Sequence, residues 1–507
     1  MRDDEPQEYE RPSDLEPSPR RAELRRPPAT YYRRVALGTV VPGAGLLRTR
    51  WRILGWVMLL GALTFAAYLV VRTLQGEALK AALDAAVNPK VLQWIGVAVM
   101  IGAVLWIGSI VLTAEEAWPR IRHGRWARVA FAAAGCLLVA APSAFAVRYL
   151  EVQSSLINEV FSAEGSTSAG PGLTEPEAKD PWADVPRVNT LLIGSDAGKD
   201  RWGTRTDSLM VVSTNTRTGD TLLVGIPRNL ENVPIPDSNP LSQLYPNGYN
   251  CGDQCLMNGI WTLAEGRRDL FPGVKNPGRQ STMDVVGEIT GLRIDQSVVI
   301  NLKGFRALVD AMGGVDINAK ERVCVECSSR PDGGIKWTYG KQEWIEPGLQ
   351  HLDGRRALWY SRSRAGSDDF ARMRRQRCVA GALIEQADPV SLLRRYPQLA
   401  KVVKDNVSID IPRDELSAWV DLVLRIQKGG SIRSLPLTST VIHPANPDFA
   451  KIHALVKKSL KPKKAATSTA SPTTSGSSTP TPSPSKTKPS PSTTPDDASA
   501  EQLAATC

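Results

Sequence analysis

Three uncharged apolar runs constrain this chain most: residues 53–71, 91–112 and 129–147. Each is long enough to cross about 30 Å of hydrocarbon at about 1.5 Å per residue of helix. Charged residues bracket each run: Arg52 and Arg72, Lys90 and Glu115, Arg128 and Arg148. A shorter run, residues 35–47, contains Pro42, Gly43 and Gly45 and reads as an interfacial or re-entrant piece. The averaged composition, 42% hydrophobic and 22% charged, resembles a soluble protein because it mixes unlike parts.

Basic residues beside the spans predict the orientation. Arg20, Arg21, Arg25, Arg26, Arg33, Arg34, Arg48, Arg50 and Arg52 precede the first span, and Arg120, Arg122, Arg125 and Arg128 join the second to the third. The loop joining the first to the second is less basic. The N-terminus is therefore expected inside and everything after Arg148 outside, which makes a multi-pass cell-membrane protein with an extracytoplasmic domain. The polar, basic residues before the first span disfavour a cleaved signal peptide.

The cysteines bear on the same expectation. Cys251 and Cys255 form a Cys-x-x-x-Cys and Cys324 and Cys327 a Cys-x-x-Cys, all in the region expected outside. In a reducing compartment such couples suggest zinc, whereas outside they favour disulfides. Pairing within or across the couples stays open. Cys378 reads as a small buried apolar residue, and Cys507 has no reading. The four histidines, His123, His351, His443 and His453, with no His-Glu-x-x-His helix, argue against a multi-histidine metal enzyme.

Composition divides the chain into a basic, disordered cytoplasmic arm (1–52), a three-span anchor (53–148), a small-residue tether (149–185), a folded ectodomain (186–445) and a Ser/Thr/Pro-rich tail (446–507) expected to stay unfolded. In the ectodomain, residues 188–194, 208–213, 222–226 and 298–302 read as strands. Residues 304–312 and 371–386 read as helices, with Gly313-Gly314 ending the first and a strand restarting at 315–317. The alternation predicts an α/β ectodomain, an α-β-α sandwich around a central mixed sheet. The stretch Gly194 to Asp200 imitates a P-loop, but it has three residues between its glycines and Asp200 at the Ser/Thr position.

Charge gathers at the predicted strand ends. Asp196 follows the first strand, Arg205 and Asp207 open the second and Arg228 follows the third; Arg362, Arg364, Asp368, Asp369, Arg372, Arg374, Arg375 and Gln376 come later. Loops at strand ends converge on one rim of an α/β sheet, where ligands sit. Carboxylates and arginines there suit a magnesium-bound pyrophosphate, through hard oxygen ligands and bidentate guanidinium forks.

In order, VNTLLIGSD (188–196), RTDSLMVVS (205–213), LLVGIPR (222–228), Asn258 in CLMNG, GFRALVDAMGGVDI (304–317), GLQHLDGRRALWYSRSR (348–364) and DDFARMRRQR (368–377) resemble the LytR-CpsA-Psr family of membrane-anchored cell-wall phosphotransferases. The resemblance implies a fold of that type and transfer of a glycopolymer from an undecaprenyl-pyrophosphate carrier to peptidoglycan, with undecaprenyl phosphate released. It implies Mg2+ ligands at Asp196 and Asp207, pyrophosphate-holding arginines at Arg205, Arg228, Arg362 and Arg364, and further polar positions at Arg372, Gln376 and Asn258. An apolar tunnel for the prenyl tail is also implied, with no residues assigned to it. Teichoic acid, arabinogalactan and capsular polysaccharide share the leaving group.

One residue departs from the family's usual Ile-Pro-Arg-Asp: Asn229 follows Arg228. An amide cannot act as a base, so Asp369 is the expected base if that acid activates the acceptor. A weakly active or non-catalytic polyprenyl-pyrophosphate lipid-binding protein, or a pyrophosphate hydrolase, are the alternatives. The +10 charge, 62 Lys+Arg against 52 Asp+Glu, is accounted for by cytoplasmic flanks and clustered arginines, so the membrane is an expected partner and nucleic acid is not.

Overall fold

The computed structural model describes residues 28–75, 78–119, 124–162, 173, 180–196, 205–332, 334–338, 342–386, 406–439, 441–461, 500–502 and 507. The chain separates into two compact units, residues 1–154 and 155–507.

The first unit holds α1 (Pro28–Val40), α2 (Arg52–Leu74), α3 (Ala78–Val87), α4 (Pro89–Glu116) and most of α5 (Arg125–Val160). Helices α2 and α4, and the Arg125–Ser155 stretch of α5, are long and apolar enough to cross a membrane. On α2, Ile53, Trp56, Leu63 and Phe65 are all exposed, which suits hydrocarbon rather than water. Within residues 35–47, α1 stops at Val40, before Pro42, and a short turn at Ala44–Leu46 follows. Trp106 Nε1 on α4 donates to Gly38 O at 2.9 Å. A Cβ on Gly45 would come within 2.7 Å of the Thr113 side chain, so this approach requires glycine.

The second unit is built on an eight-stranded mixed sheet. Its strands are β1 (Phe161–Ser162), β2 (Arg187–Ser195), β3 (Thr206–Asn215), β4 (Thr221–Ile226), β5 (Gln296–Asn301), β12 (Val407–Pro412), β13 (Ile432–Leu435) and β14 (Glu501–Gln502), in the order β1-β12-β5-β2-β3-β4-β13-β14. Strands β2, β3 and β4 run antiparallel, while β5 joins β2 and β13 joins β4 in parallel. The helices are α6 (Ile260–Gly266), α7 (Pro277–Thr290), α8 (Leu302–Met312), α9 (Gly354–Arg362), α10 (Asp369–Gln386), α11 (Leu416–Gly429) and α12 (Phe449–Leu460). Small hairpins complete the unit: β6 (Val315–Ala319) with β11 (Gly348–Leu352), β7 (Val323–Val325) with β10 (Glu343–Ile345), and β8 (Cys327–Ser329) with β9 (Ile335–Trp337).

The sheet is covered on both faces. Leu191, Ile193, Leu209, Val211, Leu222 and Val224 join a core with Ile260, Val286 and Ile452 from α6, α7 and α12. The intervening Met210 and Leu223 join Val188 in another with Leu422 and Ile426 of α11. Alternate side chains point to opposite faces of a strand, so the continuously apolar β4, buried at every position, serves both layers. Burying each such aliphatic side chain is worth about 1.5–3 kcal/mol. A third core joins Val309, Val323, Ile345, Ala357, Tyr360 and Val379 beneath the hairpins.

The predicted strands and helices of the ectodomain are all present. Helix α8 ends where Gly313, at φ 92°, turns its N–H back to Asp310 O and Val309 O. The expected C-terminal limit falls short of the fold: beyond 445, α12 places Ile452, Leu455 and Val456 in the first core. Residues 462–499, most of the expected unfolded tail, lie outside the described residues, as do residues 1–27 of the arm and most of the tether's second half. The end of the chain returns to the sheet, where Ser434 pairs with Glu501 and Arg433 with Gln502.

The cysteine expectations need one correction. Cys251 bonds Cys255 and Cys324 bonds Cys327, each within its couple. Cys378 is not a lone apolar filler but is bonded to Cys507 across 129 residues. A helix-like surrounding gives no sign of a partner that distant. Cys136 is a free thiol.

Candidate active site

Local structure aims the charged side chains. In the β2–β3 pairing Gly194 faces Ser208, but Ser195 faces Thr206. Asp207 is thus the extra residue of a β-bulge, a device that re-aims a side chain. Arg228 follows β4 through Ile226-Pro227, and its carbonyl accepts the Asn258 N–H at 3.0 Å. Asp353 caps α9 by accepting the Arg356 N–H at 2.7 Å, and the last residue of α9 is Arg362. Asp368 caps α10 by accepting the Ala371 N–H at 2.7 Å, so Asp369 opens that helix and Arg372 follows one turn on.

These elements bring five of the sequence-derived residues into one ion cluster. Arg228 Nη1 donates to Asp207 Oδ1 at 2.5 Å, while its Nε lies 3.5 Å from Asp369 Oδ1. Arg372 Nη2 donates to Asp369 Oδ2 at 3.0 Å, and Arg364 Nη1 lies 4.0 Å from Asp369 Oδ1. Asp369 Oδ1 is thus within ion-pair range of three guanidinium groups, yet meets hydrogen-bond geometry with none.

Three guanidinium groups face two carboxylates, so the cluster carries excess positive charge. Arg372 is almost fully buried with an unpartnered Nε. Burial, partly offset by Asp369 and reinforced by Arg228 and Arg364, lowers its pKa to about 10. It remains charged at neutral pH, in an environment that favours an added anion.

The remaining residues lie outside this cluster of contacts. Gln376 accepts from Ser208 Oγ at 3.1 Å and donates to Ser361 O at 3.3 Å. Arg362 lies over the Trp359 ring, 4.9 Å from its centroid, a cation–π geometry. Asp196 follows β2, its N–H directed at Arg205 O at 3.4 Å, and Arg205 is exposed beside the undescribed residues 197–204. Asn229, next to Arg228 in the chain, is half-buried. Asn258 reaches the cluster through its backbone. Cys255 belongs to the core between sheet and helices, whereas Cys324 and Cys327 each place Sγ 3.5 Å from Ser363 Oγ, between Arg362 and Arg364.

Among the described residues no group of three or more His, Cys, Asp or Glu could cage a metal. Magnesium needs no such cage: it takes one or two carboxylates, waters and substrate phosphate oxygens. Asp196 at the end of β2 and Asp207 on the adjacent bulge fit that donor set. The sequence singles out neither Ser208 nor Trp359 and counts Arg375 only among the rim charges; the helical spacing of 372, 375 and 376 is the available signal for its separate place.

Residues 162–457, more than half of the chain, match the LytR_cpsA_psr family. The chain belongs to that family. A Polyisoprenyl-teichoic acid–peptidoglycan teichoic acid transferase TagU of Enterococcus faecalis is 26% identical over 273 residues, 53% of this chain and 73% of that protein. The Bacillus subtilis TagU is 26% identical over 240 residues, covering 47% and 62%. The chain spans about 60% of the length of several TagU relatives that it matches. Among solved structures, B. subtilis TagT has a TM-score of 0.37 and 21% identity, covering 57% of this chain and 96% of that one. TagT bound to LIIa-WTA has a TM-score of 0.38 and 22% identity, covering 54% and 89%.

Proposed function

We propose that this LytR_cpsA_psr protein is a membrane-anchored phosphotransferase that moves a glycopolymer from an undecaprenyl-pyrophosphate carrier to peptidoglycan. The observation carrying this reading is the partly buried cluster of Arg228, Arg364 and Arg372 around Asp207 and Asp369, with more positive than negative charge. Such a site attracts a polyanion, and phosphoryl transfer depends chiefly on positioning and charge neutralisation. The names of the TagU relatives support the same reading.

The reaction balances simply. An acceptor hydroxyl of peptidoglycan attacks the phosphorus joined to the glycopolymer, an O–P bond forms, and the bond to the bridging pyrophosphate oxygen breaks. The products are a phosphodiester and undecaprenyl phosphate. Arg228, Arg364 and Arg372 hold the phosphate oxygens by charge-assisted hydrogen bonds, joined by Arg205 and Arg362. Asp369, already held among those arginines, accepts the hydroxyl proton. When held by Asp196 and Asp207, a magnesium ion supplies further neutralisation of phosphate charge.

The test is an incubation of the full-length protein in detergent with a lipid-pyrophosphate-linked sugar, peptidoglycan fragments and magnesium, read by mass spectrometry. A phosphodiester-linked product is expected, and it should disappear in Arg364→Gln. Bare sugar phosphate would make the protein a pyrophosphate hydrolase. Intact lipid retained by the protein would make it a lipid-binding protein.

A further inference from the structure

We infer that Arg375 is a positioning residue that fixes Arg362 and Arg364, an inference that rests on the phosphotransferase reading. Its side chain is 2% exposed, and it touches none of the groups proposed to hold substrate. It spends its donors on one short segment. Nε donates to Tyr360 O at 2.8 Å, Nη2 to Ser363 O, and both terminal nitrogens reach Ser367 Oγ at 3.3 and 3.2 Å. Nη1 also donates to Glu321 Oε1 at 2.6 Å.

The reason for the arrangement lies in helix α9. A helix leaves its last carbonyls without intrahelical donors, and α9 ends at Arg362, in the middle of the proposed phosphate-binding arginines. Arg375 supplies donors to the carbonyls of Tyr360 and Ser363, and the next residue, Gln376, supplies one to Ser361. A cation at a helix C-terminus is also favoured by the helix dipole. Behind the segment, the Cys324–Cys327 disulfide lies against the Ser363 hydroxyl. The segment carrying Arg362 and Arg364 is therefore clamped to α10, which carries Asp369 and Arg372. Both halves of the cluster are held in one frame.

Only a planar guanidinium serves three directions at once. A lysine ammonium is a compact point charge without the fork geometry, so it can retain Glu321 while releasing a carbonyl. Arg375→Lys is expected to fold, to bind undecaprenyl pyrophosphate within about threefold of wild type, and to lower the single-turnover transfer rate about 100-fold, the effect of an ångström-scale misplacement. Amide hydrogen exchange over residues 361–367 should quicken at least about tenfold, with the sheet strands unchanged.

The comparison uses the full-length protein, with Glu321→Gln as a milder second variant should Arg375→Lys fail to fold. Glu321→Gln is expected to show the same pattern more weakly, with transfer lowered about tenfold and exchange over 361–367 quickened about threefold. A wild-type transfer rate per folded molecule, or unchanged exchange over 361–367, would overturn the positioning role. A wild-type protein that makes no phosphodiester would instead overturn the phosphotransferase reading, and the exchange measurement would still decide whether Arg375 fixes the segment.

Discussion

Asp369 opens α10 within reach of Arg228, Arg364 and Arg372, and two consequences separate when it is changed. Asp369→Asn removes the proposed proton acceptor and also one of the two anions opposing the arginines. Pyrophosphate affinity should then be held or strengthened, while kcat falls about 10²–10⁴-fold, the usual worth of a general base. Matched binding and single-turnover measurements check the split, and a parallel loss of affinity would contradict the base assignment. Restoring the family's acid with Asn229→Asp should then change kcat less than about threefold, because in the proposed reaction Asp369 already takes the proton. Arg372 adds a pH signature. Its pKa is lowered to about 10 by burial, so its charge is present below that value and lost as pH rises through it, whereas an ordinary arginine stays charged. The pH profile of kcat/KM should show an alkaline limb near 10 that Arg372→Gln abolishes.

At the scale of elements, strands and helices were legible because their signals are local. The apolar runs of β2 to β5 and the Gly313-Gly314 stop of α8 each carry their own physics. Part of the site was legible for the same reason, since charge clustered at strand ends marks a rim. What escaped depended on distant partners: the bulge that projects Asp207, the clamp of Arg375 on the end of α9, and the bond between Cys378 and Cys507. That bond ties the chain's last residue to α10 two positions after Gln376. Closing so long a loop reduces the entropy of the unfolded chain by a few kcal/mol in the chain-entropy account. Cys507→Ser should therefore lower the melting temperature by several degrees under oxidising conditions and change nothing once wild type is reduced. Thermal unfolding of both proteins with and without reductant makes the comparison. The Cys324–Cys327 bond lies against Ser363 instead, so Cys324→Ser/Cys327→Ser should lower transfer more than melting temperature.

For the whole molecule, the three apolar helices and the cysteines must agree on one arrangement. Helices α2, α4 and α5 each have the length and composition of a span, and three crossings would place the residues before α2 and those after α5 on opposite sides. The basic residues flanking the first span and joining the second to the third predict that the N-terminal side is cytoplasmic. The sheet-bearing unit would then be outside, where a lipid-linked glycopolymer meets peptidoglycan. The three disulfides of that unit favour the same side, since such bonds persist in oxidising compartments. In intact cells stripped of wall, an impermeant protease should digest the exposed end of the chain and spare an epitope placed before Arg25. Digestion of both, or protection of the C-terminal unit until the membrane is opened, would reverse the topology and remove the proposed substrates from reach of the site.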